Sequence, residues 1–210
     1  MSHDTRVHRI VRPIVRPLVG TGVTPNHVTA LRLLTGIAAA LLLARGDAFS
    51  SDIGGAIFFL SFLLDRADGE LARLSRRTSS GGHRFDLYAD YSANILVFLG
   101  MGIGMTESPL ESAAVGLGVA AGTAIAAVFW VVSRVERLEG AAEFPVAKGF
   151  DPDDAMIVVP VAIWMGAEIY VLSAAALGAP LFLAWTLWRF RKSLGDATPA
   201  VREQGTSRPR

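Results

Sequence analysis

Apolar runs of near-membrane length, separated by clusters of arginine, dominate this sequence. A helix needs about 20 apolar residues to cross a hydrocarbon core of about 30 Å. Runs that approach this length occur at residues 28–43, at 53–64 with helix continuing past Asp65, at 85–105 and at 110–133. Two further spans must share residues 155–188, with a tight turn near Gly166, Ala167 and Glu168 and a possible kink at Pro180. Hydrophobic residues make up 51% of the chain and the mean hydropathy is +0.42, which fits a membrane protein better than one or two soluble domains.

Charge placement decides the number of spans, because cytoplasmic loops collect Lys and Arg. Arg6, Arg9, Arg12 and Arg16 precede the first run. Arg66, Arg73, Arg76, Arg77 and Arg84 lie between the second and third, and Arg134, Arg137 and Lys148 between the fourth and fifth. Arg189, Arg191 and Lys192 follow the last, whereas residues 46–51 and 106–109 carry no Lys or Arg and only Arg45 abuts them. An even number of spans puts every basic cluster in the cytoplasm; five would leave the last one outside. The expected fold is therefore an all-α integral membrane protein with six transmembrane helices and both termini cytoplasmic.

Residues 1–24 are expected to form a cytoplasmic or interfacial segment, 25–194 the six-helix domain, and 195–210 a disordered polar tail. Within residues 6–19, arginines mix with Ile10, Val11, Ile14, Val15 and Leu18. That stretch could lie along the membrane surface or serve only as a topology signal. Pro13 and Pro17 argue against a long regular helix there. No secretory leader is expected. The chain has no cysteine, which excludes disulfides and thiolate chemistry. Topology accounts for the arginine clusters, so no nucleic-acid partner is expected.

Chemistry concentrates between the second and third runs. Asp65 and Asp68 stand three residues apart at the end of one run, and Asp86 and Asp90 four apart at the start of the next. Both spacings put the paired carboxylates on one helix face. The linking segment is short, so the two helices are expected to be antiparallel neighbours, with four carboxylates converging at one level. Like charges in a low-dielectric site require a cation or protonation. All-oxygen ligation suits Mg²⁺ or Mn²⁺, and a pair of such ions can hold a diphosphate. Gly69 and Ala72 leave room beside the carboxylates, Arg73 is a candidate phosphate contact, and Gly82 could open the next helix.

The pattern Asp65-x-x-Asp68-Gly69-x-x-Ala72-Arg73, eight residues, then Gly82-x-x-x-Asp86-x-x-x-Asp90 resembles the signature of the CDP-alcohol phosphotransferase (CDP-alcohol phosphatidyltransferase) family. The resemblance implies that Asp65, Asp68 and Asp86 hold two metal ions. It implies that Asp90 completes the metal shell and acts as general base on an acceptor hydroxyl. Gly69, Ala72 and Gly82 would accommodate the cytidine nucleotide, and Arg73 would support the phosphates. A second fragment, Pro25-Asn26-x-x-Thr29-x-x-Arg32, is similar to the family's entrance to its first span. Asn26, Thr29 and Arg32 share a face, expected to line the nucleotide or diphosphate pocket. Alternatively, Asn26 caps the helix and Arg32 snorkels to the interface.

Arg137 and Lys148 are candidate phosphate or acceptor contacts. Asp151-Pro152-Asp153-Asp154 reads as a helix start, with Asp151 also a candidate acceptor contact. His83 is expected in a loop and Glu168 in an outer turn. The implied reaction is direct displacement: the acceptor hydroxyl, deprotonated by Asp90, attacks the β-phosphorus of a CDP-alcohol such as CDP-diacylglycerol, and CMP leaves. The acids near residue 151 lean toward a neutral or cationic acceptor. A homodimer in a bacterial or archaeal cytoplasmic membrane, with the site facing the cytoplasm, completes the expectation. Rival readings are a small soluble CDP-alcohol donor, a membrane prenyltransferase and a divalent-ion carrier.

Overall fold

The computed structural model describes residues 6–110, 113–139, 152–191 and 194. It is helical throughout. Helix α1 covers Arg6–Val15, followed by a 3₁₀ turn at Arg16–Leu18; α2 is Pro25–Leu43, α3 Ala48–Ser75, α4 Ser80–Gly104 and α5 Ala113–Glu139. A second 3₁₀ segment, Pro152–Ile157, leads into α6, Val158–Trp164, and α7 is Glu168–Arg189. Pro13 is accommodated near the end of α1, so the basic N-terminal segment is a short helix rather than irregular chain. Lys148, Asp151 and the tail from 195 lie outside the described residues.

Local chemistry sets the helix ends. Thr24 caps α2: its Oγ1 accepts from the His27 amide at 3.4 Å and His27 Nδ1 accepts from the Thr24 amide at 3.3 Å, with Pro25 at the first helical position. The alternative reading of Asn26 as the cap therefore does not hold, since Thr24 takes that position. Asp47 caps α3 by accepting from the Ser50 amide at 2.9 Å, and hydrogen bonds from Ser50 hold its carboxyl below the usual range. Arg76, at φ 54°, ends α3 in the left-handed conformation. Ser79 then caps α4 by accepting from the Gly82 amide at 3.0 Å.

Among the described residues, four helical stretches are long and apolar enough to cross a membrane: α2, α3, residues 113–135 of α5, and α7. Helix α4 has 25 residues but is charged in its first half. Helix α6 spans only 7 residues, about 10 Å, so the short apolar stretch before Gly166 falls well below a full crossing by itself. Gly166 makes the expected tight turn with φ +64°. The surface is apolar and parts of the interior are charged: Leu34, Leu41, Leu177 and Leu181 are 63%, 67%, 67% and 72% exposed, whereas Arg32 and Asp68 are 4% exposed. A lipid-facing exterior around a polar centre has this distribution.

Helix α2 is the central element. It packs along both α3 and α4, whose backbones approach α2 far more extensively than they approach each other. This corrects the expectation that the two aspartate-bearing helices are direct neighbours. Their acidic faces meet at a cavity that α2 also lines. Small residues allow the close α2–α4 and α4–α5 approaches: a Cβ at Gly100 would collide with the Ala40 carbonyl oxygen, one at Gly36 with the Ala93 side chain, and one at Gly122 with the Ile95 backbone. Gly100→Val should destabilise the protein by about 1–3 kcal/mol, because the obstacle is backbone and cannot rotate away; thermal unfolding in detergent reads the change.

Candidate active site

Helix geometry brings the carboxylates level. Asp65 and Asp90 each lie about 15 Å along their helices from the 76–79 turn, and Asp68 and Asp86 about 10 Å. One ligand oxygen from each of Asp65, Asp68 and Asp86 falls within 4.8 Å of the others. Asp90 joins them through Arg32. The Arg32 guanidinium contacts Asp65 Oδ1 at 2.7 Å, Asp86 Oδ1 at 3.1 Å and, through its other terminal nitrogen, Asp90 Oδ1. Arg32 therefore lies beneath the carboxylates and braces three of them, instead of snorkelling to an interface.

Each aspartate also has its own support. Thr29 Oγ1 donates to Asp68 Oδ2 at 2.7 Å, so this residue of the α2 face orients a carboxylate as well as lining the cavity. Asn94 Nδ2 donates to Asp90 Oδ1 at 2.9 Å and to the Asp90 carbonyl at 3.0 Å. Arg66 reaches Asp65 Oδ2 at 3.4 Å and stacks over Phe62, 5.2 Å from the ring centroid. Asn94 and Arg66 were missed as site residues in the sequence. Asn94 stands one helical turn after Asp90, a spacing that could have found it.

The carboxylates open into a cavity of about 310 Å³ between α2, α3, α4 and α5. Asn26, Gly69, Ala72, Arg73 and Gly82 all line it, and Phe129 and Val132 close one side with apolar surface. Nothing lies within 4 Å of a Cβ built on Gly69, so that glycine faces open space beside Asp68. Gly82 has the opposite reason to be small, since its Cβ would sit 2.9 Å from Asn26 Oδ1 and 3.0 Å from Ser79 Oγ. His83 lies in the first turn of α4, not in a loop, and borders the same cavity. Arg137 lies on α5 beyond the part whose side chains are described. Glu168 opens α7 and lines, with Arg45 and Glu107, a separate cavity that also involves the 44–47 and 105–108 turns.

The donor set suits a hard divalent cation. Asp65, Asp68, Asp86 and Asp90 carry four negative charges, and the contacting Arg32 and Arg66 supply two positive ones. Clustered carboxylate oxygens that outnumber the arginines contacting them among the described residues, with a buried member at Asp68, match the ligand preference of Mg²⁺ or Mn²⁺.

Fold and site together define a helical membrane protein with an acidic, cation-compatible cavity between its spans. Residues 22–188 match the CDP-alcohol phosphatidyltransferase family, and the chain belongs to it. Among solved structures, it resembles Mycobacterium tuberculosis phosphatidylinositol phosphate synthase with CDP-DAG bound, at TM-score 0.63 and 23% identity over 86% of this chain and 94% of that one. The same enzyme in complex with manganese and citrate gives TM-score 0.64 and 21% identity, over 85% and 88%. Among curated proteins, a bifunctional IPC transferase and DIPP synthase of Thermococcus kodakarensis is 37% identical over 84 residues, 40% of this chain and 18% of that protein. Its Rubrobacter xylanophilus counterpart is 34% identical over 87 residues, 41% and 19%. The chain thus matches less than a fifth of the length of either curated relative.

Proposed function

We propose that the protein transfers a phosphoalcohol group, most simply phosphatidyl from CDP-diacylglycerol, to an acceptor alcohol with release of CMP. The observation that carries this reading is the convergence of all four signature aspartates on one cavity that Gly69, Ala72, Arg73 and Gly82 also line. The donor bound to the Mycobacterium tuberculosis relative supports a CDP-lipid, and the manganese in its other complex supports a divalent cofactor.

Asp65, Asp68 and Asp86 would hold two Mg²⁺ or Mn²⁺ ions, with Asp90 completing the shell. Bound divalent ions supply charge neutralisation for the diphosphate and for the departing CMP. The chain's own groups do the rest. Asn26, Gly69, Ala72 and Gly82 make the space for the nucleotide, and Arg73 faces its phosphates. Asp90 takes the hydroxyl proton of the acceptor; the freed oxygen bonds to the β-phosphorus; the bond from that phosphorus to the CMP oxygen breaks. Arg32 and Asn94 both bond Oδ1 of Asp90, so Oδ2 is the oxygen that carries none of these bonds and can receive the proton.

The proposed setting is a cytoplasmic membrane of a bacterium or archaeon, crossed six times with both termini inside, in a homodimer. Arg137, Lys148 and Asp151 are proposed acceptor contacts. Purified protein in mixed micelles with Mn²⁺ and CDP-diacylglycerol should release CMP when the right alcohol is supplied from a panel of anionic, neutral and cationic acceptors. Chelation by EDTA should bring release to background, and added Mn²⁺ should restore it. Ion flux without CMP formation, or pyrophosphate release from a prenyl donor, would replace this reading with a carrier or a prenyltransferase.

A further inference from the structure

Glu70 lies inside the signature segment but at one of its variable positions, and it is the most deeply buried carboxylate described, with 1% exposure. A carboxylate so placed needs cationic partners to stay ionised. Two arginines from different elements meet it. Arg12 of α1 donates from Nε to Glu70 Oε1 at 2.6 Å, and Arg73 donates from a terminal nitrogen to Glu70 Oε2. Arg73 is also a wall of the cavity, whereas Glu70 is not. The carboxylate thus grips Arg73 from behind, on the side of α3 away from the aspartates.

Helix α1 is seated to hold this arrangement. Val11 and Val15, one turn apart, are 5% and 1% exposed and pack with Leu71 and Val28. Arg12 lies between them in sequence, with about half its side chain still exposed. Leu71, next to Glu70, is completely buried beneath α1. Seating α1 on α3 therefore brings Arg12 onto Glu70.

We infer that Glu70 is a positioning residue for the donor pocket: it orients Arg73 toward the phosphates of a bound nucleoside diphosphate, and Arg12 anchors it from α1. A guanidinium held by a buried carboxylate keeps its plane in a set direction, so less freedom is lost when it meets a phosphate. The N-terminal helix becomes part of the donor site without touching the donor. The inference rests on the transferase reading above and adds to it a variable residue of the signature segment and an element outside the cavity.

A contact made equally to bound donor and to the transition state changes KM and leaves kcat alone. Glu70→Gln keeps the shape and removes the charge; Arg12→Gln removes the outer anchor at a half-exposed position and leaves Arg73 to pair the carboxylate, and thermal unfolding of each variant checks the fold. The assay is CMP release in nanodiscs with Mn²⁺, using CDP-diacylglycerol as the varied donor and the alcohol on which the wild type acts, beside equilibrium binding of CDP as a separate probe. Both variants should raise donor KM and weaken CDP binding about tenfold, with kcat within about twofold of wild type. Glu70→Asp should recover part of the loss, and Arg12→Gln combined with Glu70→Gln should cost no more than Glu70→Gln alone. Unchanged or lowered donor KM in both single variants would overturn the role of Glu70 while leaving the transferase standing, as would a loss confined to kcat. A wild-type protein that releases no CMP would overturn both.

Discussion

Asp90→Asn is expected to lower CMP release by about 10²–10⁴-fold, the range that removal of a general base usually produces. The substitution keeps the size of the side chain and an oxygen that can accept from Asn94 and Arg32, the two groups that hold Asp90 Oδ1. It removes the basicity that draws the proton from the acceptor. Folding should survive, so thermal unfolding of the variant should track the wild type within a few degrees while turnover collapses. Saturating Mn²⁺ separates the two roles proposed for this residue. A ligand-only Asp90 would let excess metal restore most of the rate; a base would not. The contrast with Asp68→Asn sharpens the result. Asp68 belongs to the trio whose oxygens lie within 4.8 Å of one another, so its loss should appear first as weakened metal affinity.

The second large effect is on stability. Arg32 is 4% exposed and contacts three carboxylates, Asp65, Asp86 and Asp90. Arg32→Leu leaves those carboxylates facing one another with their shared buried counter-charge gone. Removing one partner of a buried ion cluster costs about 3–5 kcal/mol. Unfolding of the metal-free protein in detergent should therefore shift strongly downward. Saturating Mn²⁺ should return part of the loss, about 2.7 kcal/mol at a hundredfold excess over Kd, because the cation replaces the missing positive charge. The stabilisation by Mn²⁺ should be larger for the variant than for the wild type. Arg32→Lys should rescue poorly: an ammonium is a single point charge and cannot present the planar fork that reaches two carboxylates from one nitrogen and a third from another. Equal stability of wild type and Arg32→Leu without metal would show that the carboxylates do not depend on the arginine.

Much of the site was legible in the sequence because helical spacing is a local property. Pairs three and four residues apart must share a face, so Asp65 with Asp68 and Asp86 with Asp90 could be grouped before any fold was known. The turn at Gly166 was legible for a similar reason, since a small residue between two apolar stretches is where a chain reverses. Asn26 shows the limit of local reading. Either Thr24 or Asn26 could have capped α2, and the capping box between Thr24 and His27 decided it. Only then was Asn26 available to lie against Gly82 in the cavity wall.

Other features depend on contacts across long stretches of chain, which no spacing rule encodes. A short linker suggested that α3 and α4 pack together, yet both pack mainly on α2, which places Arg32 where the two acidic faces meet. Glu70 looked like a variable residue within a signature, and its significance comes from Arg12, 58 residues earlier. By itself the sequence determined that the chain forms apolar helices, that arginines lie between them, and that two acidic pairs occur at helical spacing; each follows from composition and period. Tertiary structure alone decided how far apart the acidic helices stand, which arginine balances their charge, and which buried carboxylate steadies Arg73. Those outcomes follow from how small residues let particular helices approach, and from the requirement that every charge in a low-dielectric interior find a partner.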